Sequence, residues 1–144
     1  MRLLITGASG LLGLNLCLLA STQGHDVTGL SHSRGLQGIP FDLKQVDLRD
    51  EEKARALIAE AEPEAIIHCA AVANINEAEK DPEGTHLINA EVPGWLAGAT
   101  AVWKIPFVHI SSDAVFDGEV GDYRETDPTH PLSLYAQSKL EGEH

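Results

Sequence analysis

An apolar stretch near the start of the chain runs directly into a glycine-rich loop, "LLITGASGLLG" at residues 3–13. A strand, then Gly-x-x-Gly-x-x-Gly, then a helix is the setting in which a diphosphate rests on the first helical turn. Gly7 allows the tight turn, Gly10 keeps a Cβ away from the diphosphate, and Gly13 lets helix and strand pack closely. The rival interpretation is a glycine-rich turn without a ligand. The predicted diphosphate contacts are Gly7, Ser9, Gly10, Leu11, Leu12 and Gly13, with the Thr6 hydroxyl also nearby.

Short apolar segments alternate with helical segments along the rest of the chain. This alternation predicts an α/β fold, a doubly wound parallel sheet of Rossmann type, with helices on both faces and right-handed crossovers. Pro93 and Gly94 predict a kink or break in the third helix. The predicted strands are 2–6, 26–30, 43–48, 64–70 and 105–112, and the predicted helices are 11–24, 50–62, 83–102 and 132–144.

The predicted sheet is incomplete on its C-terminal side. A full dinucleotide-binding fold has six strands in the order 3-2-1-4-5-6, whereas this chain supplies five. The fifth strand would then be an exposed edge with apolar side chains, which is unfavourable. We therefore expect residues 1–144 to be the NAD(P)-binding domain of a longer protein whose C-terminal substrate domain is absent, and we expect this piece alone to be inactive.

The composition narrows the classes of partner and compartment. The net charge of −12 disfavours nucleic acid and anionic membranes as partners, although backbone amides can still hold a small phosphorylated ligand. No apolar run approaches the roughly 18 residues of a membrane span, and no leader pattern precedes the first strand, which together predict a cytoplasmic protein. Cys17 and Cys69 lie in apolar patterns that predict reduced, buried thiols.

The segment "LSHSRG" at the end of the second strand bears on the choice of dinucleotide. An acidic residue at this position would bind the ribose 2′-hydroxyl of NAD, and none is present. Ser31 and Arg34 instead suit a 2′-phosphate, which favours NADP(H); if Arg34 is only a solvated loop residue, NAD(H) is the alternative. Asp47 is predicted to accept from the adenine amino group, with Leu48 beside the ring. Alternatively, Asp47 simply leads into the next helix.

A second motif, "YAQSK", puts Tyr135 and Lys139 four residues apart on one helical face. A nearby ammonium lowers the pKa of a phenol, which suits the pair to proton transfer. On an arbitrary helix, such a pair would simply be two solvent-exposed side chains without a function. Ser112 follows the fifth strand, at the sheet edge where ligands bind. We predict that Ser112 binds a substrate carbonyl, Tyr135 protonates the alkoxide, and Lys139 tunes Tyr135 and holds the nicotinamide ribose. The histidines lack metal-ligand spacing, so no metal is expected.

These motifs together resemble the N-terminal part of the extended short-chain dehydrogenases/reductases. Within that superfamily the chain is most similar to the dTDP-4-dehydrorhamnose reductase branch, through "VHISSDAVFDG" and "YRETDPTHPLSLYAQSKLEGE". The resemblance covers the whole of this chain but only about the first half of such an enzyme. It implies an oxidoreductase that uses NADPH to reduce a 4-keto nucleotide sugar, with dTDP-4-dehydro-L-rhamnose as the first candidate substrate, and a homodimer.

The resemblance also assigns roles residue by residue. It implies that Ala70 and Ala71 line the cofactor, and that Asn89 supports the active site more by structure than by contact. The glycines, Asp47, Ser112, Tyr135 and Lys139 keep the roles given above. The chain departs from the branch at Ala114, where tyrosine is usual beside the sugar pocket, and at His68, where asparagine is frequent.

Two alternatives remain at this stage. The regulatory β subunit of methionine adenosyltransferase is similar over the same stretches, so a non-catalytic NADP-binding subunit is one alternative. Another activity of the extended family, such as an epimerase or a dehydratase, is the other, and it would need further groups near the substrate. Asp113 does not favour a dehydratase, because the reductase branch carries aspartate there too.

Overall fold

A computed structural model describes all 144 residues and consists of one sheet with helices on both sides. The elements in chain order are β1 (Arg2–Thr6), α1 (Leu11–Thr22), β2 (Asp26–Ser31), β3 (Asp42–Gln45), α2 (Glu51–Ala61), β4 (Ala65–His68), α3 (Ile75–Lys80), α4 (Pro82–His86), a π-helical turn (Leu87–Glu91), α5 (Val92–Trp103), β5 (Phe107–His109), a 3-10 turn (Asp113–Val115) and α6 (Leu134–Glu141). The five strands are parallel in the order β3-β2-β1-β4-β5. The predicted doubly wound sheet is confirmed.

The core is divided between the two faces of the sheet because successive strand residues point to opposite sides. Leu4 packs on one face with side chains of α2 and α5, and Ile5 packs on the other with side chains of α1. Both are fully buried, and burial of such a side chain contributes roughly 1.5–3 kcal/mol. The first cluster comprises Leu4, Leu30, Val46, Leu48, Ala54, Ile58, Ile66, Val92 and Leu96, and the second Ile5, Ala8, Cys17, Ala20 and Val27.

β5 is the edge strand that the sequence predicted. It pairs only with β4, and Val108, opposite Ile67 in the register, leaves 49% of its surface exposed.

None of the helices combines the length and apolarity that crossing a bilayer requires.

The predicted helix over 83–102 is present but is not broken at Pro93. Helical structure runs without interruption from Pro82 to Trp103, and the π-helical turn lies just before the proline. There the Val92 N–H donates to the Leu87 carbonyl, five residues back. Proline has no N–H to donate and its ring crowds the preceding turn, and a wider π turn accommodates both effects.

The structure differs from several of the sequence-based bounds. β3 ends at Gln45 rather than residue 48, because the Asp47 carboxylate accepts the Arg49 N–H and turns the chain. β4, β5 and α6 are shorter than the predicted 64–70, 105–112 and 132–144, and β5 keeps only Phe107–His109. α3 was not predicted. Its N-cap residue is Asn74, whose side chain accepts from the N–H groups of Asn76 and Glu77 and so caps the first turn.

Candidate active site

The glycine loop is packed so tightly that two of its positions exclude a side chain. Gly7 has φ +67°, and a Cβ there would lie 2.8 Å from the backbone nitrogen of Ala70. A Cβ on Gly13 would lie 2.3 Å from the Gly7 carbonyl oxygen. Gly10 is exposed, and a Cβ there would approach only the Gly7 oxygen, at 3.2 Å. Of the three, Gly10 is therefore the glycine least required by contacts within the chain.

The N-terminus of α1 differs from that of every other helix that begins from a loop. Side chains of Asp50, Asn74, Asp81 and Ser133 cap α2, α3, α4 and α6, respectively. The cap residue of α1 is Gly10, which provides no side-chain acceptor, and the first turn holds no acidic residue. The first-turn N–H groups and the positive end of the helix dipole are thus left for an anion.

The Thr6 hydroxyl, which the sequence offered as a ligand group, is instead used inside the fold. Its oxygen accepts the N–H groups of Cys69 and Ala70, each at 3.1 Å, and lies 2.8 Å from Nδ1 of His68. Thr6 is fully buried. It therefore fixes the end of β4 against the end of β1, directly beneath the glycine loop.

A cavity of about 400 Å³ opens at the carboxyl ends of β1, β2 and β4. Its volume is within the range of small-molecule sites. Eight of the predicted cofactor contacts line it, while Leu11, Leu12, Gly13, Arg34, Asn89, Tyr135 and Lys139 do not. The lining residues are Gly7, Ser9, Gly10, Leu30, Ser31, His32, Val46, Asp47, Leu48, Arg49, Cys69, Ala70, Ala71, Val72, Asp81, Gly84 and Ile88.

Asp47 lies in the cavity wall but is already paired within the chain. The Arg49 guanidinium donates to it through Nε at 2.9 Å and Nη2 at 2.7 Å, and His32 Nε2 is 3.5 Å away. The hydrogen bonds from Arg49 lower the pKa of Asp47 to about 2. The sequence reasoning missed Arg49, whose position two residues after Asp47 is the only signal of this pair. An adenine amino group would have to share the carboxylate with Arg49.

Ser31 and Arg34, the two predicted 2′-phosphate ligands, are placed differently. Ser31 is buried at the cavity wall, and its hydroxyl has no partner within the chain. A buried hydroxyl without a partner is costly, so this atom is suited to a ligand oxygen. Arg34 is exposed in the loop after β2, outside the cavity lining.

The predicted catalytic residues lie beyond this cavity, at the carboxyl end of β5. Ser112 is the N-cap of the 3-10 turn, and its hydroxyl accepts the Ala114 N–H at 3.2 Å. Tyr135 is half-buried in the first turn of α6, and Lys139 follows one turn later with 2% of its surface exposed. The Lys139 Nζ donates to the Ile110 carbonyl at 2.7 Å, which anchors α6 to the end of β5. Burial lowers the pKa of Lys139 to about 8.

Asn89, in the π-helical turn, connects the cavity to α6. Its Oδ1 accepts the Val72 N–H at 2.8 Å, and its Nδ2 donates to the Val72 carbonyl at 3.0 Å and to Ser138 Oγ at 2.9 Å. Val72 lines the cavity and Ser138 precedes Lys139, so the buried amide joins the two regions. This arrangement fits the structural role that the resemblance implied.

Known proteins resemble the chain over its whole length. The family model described as the RmlD substrate binding domain matches residues 1–144. The chain is 41% identical over 143 residues to the probable low-salt glycan biosynthesis reductase Agl14 of Haloferax volcanii, covering 97% of this chain and 47% of that protein. It is 38% identical over 142 residues to methionine adenosyltransferase 2 subunit beta of Xenopus laevis, covering 99% and 41%. The chain thus spans less than half of either relative.

Two solved structures share the fold. A hypothetical dTDP-4-dehydrorhamnose reductase from Sulfolobus tokodaii superposes with a TM-score of 0.90 at 40% identity, covering 99% of this chain and 50% of that one. A dTDP-4-dehydrorhamnose reductase from Bacillus anthracis, solved in complex with NADP, gives a TM-score of 0.83 at 31% identity, covering 99% and 47%. These similarities confirm the resemblance and the Rossmann-like architecture.

Proposed function

The chain belongs to the RmlD substrate binding domain family, and from that membership we propose that the protein containing it reduces a 4-keto nucleotide sugar with NADPH. The names of its relatives support a reductase, and the Bacillus anthracis relative was solved with NADP. We take dTDP-4-dehydro-L-rhamnose as the first candidate substrate. Residues 1–144 would be the dinucleotide-binding domain, and the rest of the protein would supply the sugar pocket and a homodimer contact.

The observation that carries this proposal is the anchoring of α6 at the same edge of the sheet as the uncapped start of α1. Lys139 donates to the Ile110 carbonyl, which brings Tyr135 and Lys139 to the carboxyl end of β5. The glycine loop follows the carboxyl end of β1, two strands away in the same parallel sheet. Ligands of open α/β sheets bind along this edge, so one extended dinucleotide is suited to both sites.

Three features of the cavity fit the dinucleotide. The uncapped turn of α1 suits the diphosphate, the unpaired Ser31 hydroxyl suits an oxygen of the adenosine ribose or its 2′-phosphate, and buried Leu48 suits the adenine face. The Arg34 guanidinium, in the loop after β2, would pair with the 2′-phosphate. We propose NADP(H) rather than NAD(H) because no carboxylate ends β2.

The remaining steps belong to the side chains around β5 and α6. When bound, NADPH supplies a hydride to the ketone carbon. The Ser112 hydroxyl donates a hydrogen bond to the ketone oxygen, and the Tyr135 hydroxyl gives its proton to that oxygen as the alkoxide forms. The Lys139 ammonium stabilises the phenolate left on Tyr135. The Ile110 carbonyl accepts a hydrogen bond from the same ammonium.

A second candidate is a regulatory subunit that binds NADP without catalysis. The similarity to methionine adenosyltransferase 2 subunit beta favours it, because that protein is related over the same residues. The reductase is the better-supported proposal because Ser112, Tyr135 and Lys139 are all present and because α6 is anchored beside β5.

Full-length protein, NADPH and dTDP-4-dehydro-L-rhamnose test the choice between the two. The reductase proposal predicts continuous loss of NADPH absorbance that depends on the keto sugar. Binding of NADPH in a calorimeter with no turnover of any 4-keto nucleotide sugar would favour the regulatory subunit. Failure to bind either NADPH or NADH would remove both proposals.

A further inference from the structure

His109 in β5 makes a contact with Lys139 that the sequence reasoning did not anticipate. Its Nε2 lies 3.3 Å from the Lys139 Nζ, which also donates to the Ile110 carbonyl at 2.7 Å. Lys139 is 2% exposed, so these two protein groups take the place of water around the ammonium. The contact bridges thirty residues of sequence and joins β5 to α6.

The chemistry of the contact fixes the protonation of the His109 ring. An ammonium only donates hydrogen bonds, so Nε2 must accept and the ring proton must lie on Nδ1. Nδ1 is itself buried without a partner. This tautomer leaves a buried N–H on Nδ1 without an acceptor, which is costly. The contact of Nε2 with Lys139 is therefore what selects it.

His68 supports the ring from the neighbouring strand. The two residues are register partners in β4 and β5, and their rings stack with centroids 5.5 Å apart and planes at 21°. Thr6 Oγ1 already accepts two backbone N–H groups, so its one proton goes to His68 Nδ1. Burial lowers the pKa of His68 to about 3 and that of His109 to about 4, so both rings are neutral.

We propose that His109 is a positioning residue that holds the Lys139 ammonium, through Nε2, on the face of α6 that carries Tyr135. The inference rests on the proposed reductase function and adds a residue to it. His109 does not touch the reacting atoms. It acts through Lys139, and the His68 ring behind it keeps the imidazole plane in place.

The proposal has a consequence for the pH range in which Lys139 is charged. The titratable groups around its amine are His68 from β4, Cys69 directly after β4, His109 from β5, Tyr135 on α6 and Glu143 just after α6. Burial lowers the pKa of Lys139 to about 8, and the nearby Glu143 carboxylate opposes that effect. Loss of the Nε2 acceptor destabilises the ammonium, so the Lys139 pKa should fall further.

The test uses full-length protein with His109→Phe, which keeps a stacking ring, and His109→Asn, which is too short to reach. Both lack an acceptor near Nζ. His109→Gln restores an acceptor oxygen, and His25→Gln, at the opposite end of the sheet, is the matched control. Lysine labelled with 13C at Cε reports the Lys139 pKa without any turnover, and Lys139→Arg identifies its resonance.

We expect Phe and Asn at position 109 to lower the Lys139 titration midpoint by about 0.5–1 pH unit, the scale of one lost hydrogen bond. The alkaline limb of the profile of kcat against pH should shift to lower pH by the same amount. Gln at position 109 should restore both the titration midpoint and the alkaline limb. Unchanged midpoints in the folded Phe and Asn variants would overturn the proposal. If the wild type turns over no keto sugar, the reductase proposal fails, while the midpoints still decide the role of His109.

Discussion

A Cβ at position 13 would lie 2.3 Å from the carbonyl oxygen of Gly7. The helix and the loop therefore touch through their backbones, and the first turn of α1 is held against the loop by this contact. We predict that Gly13→Ala destabilises the full-length protein on the order of 2–3 kcal/mol, because the added Cβ would meet a main-chain oxygen that no side-chain rotation can move away. Urea unfolding gives the value, and the Kd for NADPH should rise in parallel.

Gly98→Ala is the matched control for this prediction. Gly98 is also helical, in α5, but a Cβ there meets nothing within 4 Å. Alanine is the better helix former by about 0.5–1 kcal/mol, so this variant should be slightly more stable than wild type. If both substitutions had the same effect on the free energy of unfolding, the close packing of loop and helix would not be what requires Gly13.

The arginines near the cavity lead to a prediction about cofactor choice. Arg34→Ala should raise the Kd for NADPH about tenfold and leave that for NADH within about twofold, because only NADPH carries the 2′-phosphate. Arg49→Ala should change both dissociation constants by similar factors, because Arg49 pairs with Asp47 in the cavity wall. Calorimetric titration of the full-length variants with each dinucleotide measures the four values.

Equal weakening of NADPH and NADH by Arg34→Ala would remove the basis for preferring NADP(H). Selective loss of NADPH in Arg49→Ala would instead assign the 2′-phosphate to Arg49. In that case Arg34, which is exposed in the loop after β2, would be only a solvated side chain.

The buried His68 ring predicts how stability depends on pH. Its folded-state pKa is lowered to about 3 by burial, whereas an unfolded histidine titrates near its ordinary value of about 6.5. As the pH falls below 6.5, the unfolded chain takes up a proton that the folded protein does not. The stabilisation is therefore complete above pH 6.5 and is lost at about 1.4 kcal/mol per pH unit as the pH falls toward 3.

His68→Asn removes this titration and should reduce the dependence of unfolding free energy on pH by that amount per unit between pH 6 and pH 4.5. Urea unfolding at several pH values measures the slope. His25→Asn, at the other end of the sheet, is the matched control for the loss of a histidine. A His68→Asn protein with an undiminished slope would mean that other groups account for the acid sensitivity.

The sequence was sufficient to predict the sheet because local patterns determine most of it. β1 and β2 are short apolar runs next to the glycine loop and Gly24, and the strand order is that of the dinucleotide-binding fold, which the glycine loop predicts. The π-helical turn before Pro93 was not predictable in the same way. A proline in a helix is compatible with a kink, a break or a widened turn, and the local sequence does not distinguish them. The π-helical turn packs closely against the C-terminal end of α6, where a Cβ on Gly142 would lie 2.2 Å from the Asn89 carbonyl oxygen.

The candidate site was predictable wherever its residues share a motif and was missed where only topology joins them. Tyr135 and Lys139 are one helical turn apart, so their shared face follows from the sequence. His109 and Lys139 are thirty residues apart and meet only because α6 docks on β5. Likewise, the sequence predicts an Asp47 carboxylate free for adenine, whereas its bidentate pairing with Arg49 depends on side-chain conformation.

The single-turnover rate of NADPH oxidation in Tyr135→Phe, with the 4-keto nucleotide sugar in excess, tests the central claim most directly. The proposed mechanism predicts a rate at least about 10²-fold below that of the wild type, because the proton donor is lost. The Kd for NADPH should stay within about twofold, since the glycine loop is untouched. A Tyr135→Phe protein that oxidises NADPH at the wild-type rate would contradict the account.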